Sequence, residues 1–405
     1  MTVASAPRPI STDPADLSAE LSRRAEDLAE LLRSNAARAD ADRRIPQENI
    51  DALAASGLFK LAVPERLGGY EADFTTFLKV TSTLAQSCGS TAWVATLINV
   101  GGWLVGLYPD RAQREVFETD PDARVCGVIA PNATCKAVDG GLVVSGKWGF
   151  ASGSLHAQWA ILGVPIVDED GLQVDQGIAL IPMSELSLED TWYVAGMRGT
   201  GSNTLIADGV FVPAHRILSV TQGIEGNYPT EHTDEALYRS SFVPVLALVL
   251  AGPQLGLAKG ALDFVKASLA KGRGISYTFY DKATDSGSTQ LNMAQAASLV
   301  DTAELHCFRA AADIDAAARR AEYPDVLTRA RVRMDVGVVA TRAREAMDLL
   351  LSVQGAGSFA EGSPLQLKWR DLETGSRHAV VNPSISAEAY GRALLDIDEQ
   401  VTPLI

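Results

Sequence analysis

The chain of 405 residues has room for two or three domains, and its 47% hydrophobic and 21% charged content excludes a disordered or fibrous protein. A net charge of −15 and a pI of 4.8 exclude a partner that needs a basic face, nucleic acid first among them. Cys88, Cys126, Cys135 and Cys307 are dispersed and form no CxxC pair, so neither a zinc or other metal site nor a disulfide framework is predicted, and a reducing, cytoplasmic setting is expected. Residues 1–14 lack a basic region followed by an apolar run and read as a flexible tail, not a signal peptide. Leu17, Leu21, Ala25, Leu28 and Leu32 recur at helical spacing and open a helical domain over 15–122. Inside it, Pro64 and the Gly68–Gly69 pair mark a loop, and a Ser/Gly break falls at Ser87–Ser90. Over 123–222 short valine- and isoleucine-rich runs separated by Gly-Gly and Asp-Gly turns predict an antiparallel β-domain or small barrel. Gly223–Tyr238 is polar and turn-rich, and four long helical patterns over 235–405 predict a bundle. The apolar run Phe242–Leu250 is interrupted by Pro244, followed by Gly252, and reads as too short to span a bilayer. The fold class is α+β, mostly α: N-terminal helical domain, central antiparallel β-domain, C-terminal four-helix bundle.

No GxGxxG follows a strand and no βα alternation is present, so a pyridine nucleotide has no Rossmann half to bind. The chemistry-bearing stretch is Val143–Trp159, VVSGKWGFASGSLHAQW, where Trp148, Phe150, Ser152, His156 and Trp159 surround a glycine-punctuated strand. Flat rings beside small residues and a hydroxyl suit a planar heteroaromatic ligand; a strand-rich core edge with turns is the other reading of the same residues. Met197–Arg216, MRGTGSNTLIADGVFVPAHR, could supply polar donors to that ligand, or be a glycine loop between strands.

With VPERLGGYEADF, CGSTAWV and WRDLETGSRHA, these runs resemble the acyl-CoA dehydrogenase superfamily over nearly the whole chain, and most of all its two-component flavin-dependent (group D) monooxygenases. The resemblance implies an acyl-CoA dehydrogenase-like fold and reduced FMN or FAD (FMNH2/FADH2) handed over by a separate NAD(P)H-dependent flavin reductase. It also implies O2 as co-substrate, oxygenation of an aromatic or heteroatom-containing small molecule through a C4a-hydroperoxyflavin, and a homotetramer. On this resemblance Ser152 stands near flavin N5 and helps hold the peroxide, and Trp148, Phe150, Ala151 and Trp192 line the isoalloxazine. Arg198, Thr200 and Ser202 hydrogen-bond flavin or substrate. Arg273 meets the cofactor phosphate, while Gln290 and Gln354, Gly355 and Gly357 reach a flavin bound mainly by a neighbouring subunit.

A dehydrogenase of this superfamily needs a carboxylate base for the α-proton of a thioester. Here His378 and Ala379 stand where the glutamate is expected after the RD pair, Phe242–Leu262 holds no acidic residue, and Glu361 and Glu373 fall elsewhere. His378 is therefore the candidate base or substrate partner. Many relatives also carry a histidine after CGSTAWV; this chain has Asn99, Gly101 and Gly102 there, which reads as extra space beside Trp103 and makes Asn99 and Trp103 candidate substrate-pocket residues. The alternatives are an acyl-CoA or acyl-carrier dehydrogenase or desaturase, and a non-catalytic assembly or binding relative.

Overall fold

The computed structural model describes residues 14–405. The tail read over 1–14 lies outside the described residues except for Pro14, which already opens a helix. The N-terminal helices are α1 (Pro14–Asp27), α2 (Ala29–Asp42), α3 (Gln47–Ala55), α4 (Phe74–Ser87), α5 (Gly89–Gly106) and α6 (Asp110–Phe117). The first amide groups of α4 are satisfied from two sides. Asp73 caps it locally, accepting from Thr76 N at 2.9 Å, and the distant Asp315 accepts from Phe74 N and Thr75 N at 2.9 and 3.0 Å. α5 is buried on every side, as its nearly unbroken apolar sequence requires.

The β-domain contains β1 (Val125–Val128), β2 (Ala133–Val138), β3 (Gly141–Ala151), β4 (Trp159–Val167), β5 (Gln173–Pro182), β6 (Ser187–Glu189), β7 (Asn203–Pro213) and β8 (Ile217–Ser219). It forms two four-stranded sheets, ordered β1-β4-β5-β8 and β2-β3-β7-β6. All pairings are antiparallel except β1 with β4, which run parallel because the long excursion through β2 and β3 returns the chain in its starting direction. Leu142, Val144, Trp148, Leu162, Ile181, Leu205 and Val212 fill a core between the sheets.

The chain then continues through α7 (Val220–Ile224), α8 (Phe242–Leu248), α9 (Ala251–Leu269), α10 (Gly287–Arg319), α11 (Val326–Gln354), α12 (Pro364–Gly375) and α13 (Pro383–Leu394). The apolar run is longer than the sequence reading allowed. Phe242–Leu269 is long and apolar enough to cross a membrane, but 89% of its window is buried inside the protein, as in a core helix. Glycines let α9 settle onto α4: a Cβ at Gly256 would stand 2.1 Å from the Ser82 carbonyl oxygen, and one at Gly252 2.3 Å from Thr81 Oγ1. One hydrophobic core therefore runs from α1 through α5 into the bundle helices. The last predicted helix stops early, at Leu394, and the remaining residues turn back so that Ile405 is buried with Ala330 and Ala389. α12, which carries the RD pair, was not among the four predicted patterns.

Candidate active site

β3 carries a register shift between Trp148 and Ala151, and Phe150 inside it has φ +65°, a left-handed conformation rare for a bulky residue. The consequence is a division of labour between two rings. Trp148 is fully buried between the sheets and donates its Nε1 to Gly163 O at 2.8 Å, so its assignment to the flavin face is corrected to β-domain core. Phe150 is turned out, 74% exposed, and meets Trp192 edge-on with centroids 5.5 Å apart. An aromatic ring held exposed on strained backbone is the arrangement of a binding surface rather than of a core.

Beside it runs a chain of hydroxyls. Ser152 Oγ lies 2.6 Å from Ser202 Oγ, Ser202 Oγ lies 2.6 Å from Thr200 Oγ1, and Thr200 Oγ1 donates to Met197 O at 2.8 Å. Trp192 Nε1 donates to the same carbonyl at 2.9 Å. Ala151 is buried in the inter-sheet core. Arg198 does not join this group. Its Nε donates to Asp40 O and its Nη1 to Val194 O, which ties the loop to the end of α2.

The RD pair fixes that loop from the other side. Arg370 grips Asp40 with both terminal nitrogens at 3.0 Å, a half-buried fork that favours arginine over lysine. Asp371, fully enclosed, accepts from Met197 N at 2.6 Å and holds Met197 at φ +54°. Burial pushes the Asp371 carboxyl up to about 6 even though that bond opposes the rise. Sequence reasoning quoted Arg370 and Asp371 as signatures but missed their role: they position Met197, on which the hydroxyl chain ends.

Past the end of α12, His378 faces Trp93 of α5 at 6.1 Å between ring centroids. A Cβ at Gly375 would come 3.1 Å from Trp93, so the small residue lets the helix end approach. The His378 residue is solvent-exposed, yet enclosure by surrounding protein holds its pKa below 6.5. Trp93, part of the CGSTAWV run, went unassigned at the sequence level.

Asn99 and Trp103 are corrected from pocket to core. Asn99 is fully buried and saturated, accepting from Leu61 N and donating to Leu58 O and Ala95 O. Trp103 donates to Leu237 O and packs on Phe74 and Phe242. The two glycines leave no space: a Cβ at Gly101 would stand 2.1 Å from Val125 O, and one at Gly102 2.9 Å from Val63 Cγ2. His156 is buried with its Nε2 unpartnered, and burial together with Arg44 and Arg124 takes its pKa down to about 4.

A second group gathers at one end of the bundle. Arg273 Nη2 donates to Val353 O and Gln354 Oε1 at 3.0 and 3.1 Å, and Gln290 Nε2 to Thr284 O at 2.9 Å. Gly355, at φ +77°, breaks α11 just beyond Gln354, and Gly357 follows in the open. No hydrogen bond or ion pair joins this group to the hydroxyl chain among the described residues. A cleft of about 480 Å³ lined by Glu65, Arg66, Glu71 and Glu235 contains none of these residues and is walled mainly by carboxylates.

Two helical layers sharing one core, with a two-sheet domain between them in sequence, define the acyl-CoA dehydrogenase architecture. The family model "Acyl-CoA dehydrogenase, N-terminal domain" matches residues 19–117, and "Acyl-CoA dehydrogenase, C-terminal domain" matches residues 248–383. The chain is 35% identical over 371 residues to the flavin-dependent monooxygenase oxygenase subunit HsaA of Rhodococcus jostii (strain RHA1), covering 91% of this chain and 96% of that one. It is 31% identical to the FADH(2)-dependent resorcinol hydroxylase oxygenase component of Rhizobium sp. (strain MTP-10005), covering 97% of each. Among solved structures, XiaF from Streptomyces sp. in complex with FADH2 and glycerol superposes with a TM-score of 0.91 at 33% identity, covering 97% of this chain and 99% of that one. The chain belongs to the acyl-CoA dehydrogenase superfamily. Within it, the chain is a flavin-dependent monooxygenase, the oxygenase component of a two-component system that uses reduced flavin.

Proposed function

We propose that this oxygenase hydroxylates a small aromatic substrate seated between His378 and the Ser152 hydroxyl chain, with FADH2 as the flavin. The observation that carries the reading is Phe150, exposed on strained backbone against Trp192 and adjoining buried Ser152. A planar ring system fits this surface: exposed Phe150, backed by the buried Trp192, offers an apolar face and Ser152 a single polar contact. Bound reduced flavin supplies the electrons and activates dioxygen. The protein's part is to hold that flavin, exclude water and manage one proton. His378, kept neutral by its surroundings, accepts the proton of a phenol or comparable nucleophile at an imidazole nitrogen, with Trp93 limiting its rotation. FADH2 is favoured because two relatives above 30% identity carry that flavin in their names.

Arg273, Gln290, Gln354, Gly355 and Gly357 act on the flavin of a neighbouring subunit in a homotetramer. What supports this is the open Tyr277 and Phe279 on the loop that carries Arg273, which a second copy would cover. The reductase that feeds the site draws on NAD(P)H. Acyl-CoA dehydrogenation is not supported, because Glu373 is paired with Arg377 and with Arg344 at 3.3 Å, and Glu361 is exposed.

Anaerobic enzyme with FADH2, mixed with isotope-labelled dioxygen and a panel of phenols and indoles, tests the reading. Label in the product is the expected result. Anaerobic bleaching of oxidised flavin by an acyl thioester, with no label incorporated, would refute it.

A further inference from the structure

The hydroxyl chain has a direction, and the direction determines what Ser152 can do. Each hydroxyl owns one proton and can accept through its lone pairs. Met197 O is a carbonyl and can only accept, so the 2.8 Å contact from Thr200 Oγ1 consumes the threonine's proton; without it two lone-pair oxygens would face each other at that distance. Thr200 then has no proton left for Ser202, so Ser202 must donate across their 2.6 Å contact. Ser202 in turn has none for Ser152, so Ser152 must donate across the next 2.6 Å contact. Ser152, Thr200 and Ser202 are 5%, 2% and 2% exposed, which leaves little room for water to reverse the order.

We infer that Thr200 and Ser202 are positioning residues that lock Ser152 as a hydrogen-bond acceptor, and that this lock makes the site select reduced over oxidised flavin. The inference rests on the proposal that Ser152 faces flavin N5. Reduced flavin carries a hydrogen on N5 and can donate it; oxidised N5 offers only a lone pair. A serine whose proton is committed elsewhere is complementary to the first and opposed to the second. An oxygenase that takes its flavin already reduced needs that discrimination, since the oxidised product must leave after each turnover. Asp371 and Trp192 anchor the device at its far end, through Met197 N and Met197 O.

Thr200→Val is the informative variant, because it removes a hydroxyl that has no contact with Ser152. The Ser202 proton then loses its acceptor and can turn toward Ser152, freeing the Ser152 proton to point outward. The measurement is the ratio of dissociation constants for oxidised and reduced FAD, by anaerobic titration, together with the midpoint potential of the bound flavin. Thr200→Val is expected to cut the preference for reduced FAD about tenfold, which lowers the potential by about 30 mV for a two-electron couple. Thr200→Ser, which keeps the hydroxyl, is expected to restore it. Ser202→Ala, which removes the acceptor of the Ser152 proton, should reproduce the valine effect and serves if that variant fails to fold. A wild-type preference that both variants leave unchanged overturns this inference alone. Failure of the wild type to bind reduced FAD overturns the functional reading and this inference with it.

Discussion

Asp371 is the residue whose replacement tests most of the site's logic at once. It is 2% exposed, its carboxylate holds Met197 N, and burial raises its pKa from an ordinary 3.8 to about 6. Between those values the folded protein keeps a proton that the unfolded chain has released, so stability falls as pH rises through this window and is level above it. At about 1.36 kcal/mol per pH unit, the full cost of ionising Asp371 in place is about 3 kcal/mol. Roughly 1–2 kcal/mol of that is lost between about pH 5 and pH 8. Asp371→Asn keeps an oxygen for Met197 N and removes the ionisation. Its new amide group faces Ser90 Oγ, now 3.5 Å from the carboxylate, and a poor bond there would cost about 1 kcal/mol. Denaturant unfolding of both proteins across this pH range is the assay. Asp315, also raised to about 6 by burial, contributes equally to both and cancels in the difference. The variant should gain on the wild type by about 1–2 kcal/mol between about pH 5 and pH 8. Parallel profiles, or a variant losing ground toward pH 8, would show that Asp371 is not carrying a buried charge.

His378→Gln should reduce hydroxylation by about a hundredfold or more. In the wild type, kcat/KM should fall with acid through a pKa below 6.5, because enclosure keeps the ring neutral to lower pH; a profile unchanged in the variant would remove His378 from the chemistry. Trp148→Phe leaves Gly163 O without its donor and should cost about 1–3 kcal/mol of stability while reduced-flavin affinity stays the same; loss of affinity at full stability would reinstate Trp148 at the cofactor. Phe150→Gly should do the reverse, relieving a left-handed conformation worth about 1–2 kcal/mol while weakening flavin binding, as read by thermal unfolding and anaerobic titration side by side.

The long helices and the β-domain were legible because their apolar periods are long and bounded by Gly, Pro and Asp. The site was only half legible, for reasons that can be located. The family resemblance placed Trp148 and Phe150 together at the flavin, and in a regular strand residues two apart do share a face. The bulge between Trp148 and Ala151 sends one ring to the core and the other to solvent, and no local pattern announces it. Gly101 and Gly102 looked like vacancies because a sequence shows a missing side chain but not the Val125 carbonyl that occupies the gap. The clamps from Asp40 to Arg370 and from Met197 to Asp371 join segments far apart in the chain, and their motifs were quoted without a reason. Ser152, Thr200 and Ser202 were each named; that they form one directed line could not be read from spacing.

The glycine ridge of α9 against α4 has a consequence for biosynthesis. The first helices leave the ribosome with the bed for Gly252 and Gly256 uncovered, and the whole β-domain is made before α9 arrives to fill it. The two sheets have an interior of their own and can close early, whereas the helical half waits with an apolar groove open to the cell. A truncation ending after β8 would therefore yield a competent β-domain attached to sticky, unfinished helices. Nascent chains of this protein should lean on chaperones during that interval and not afterwards.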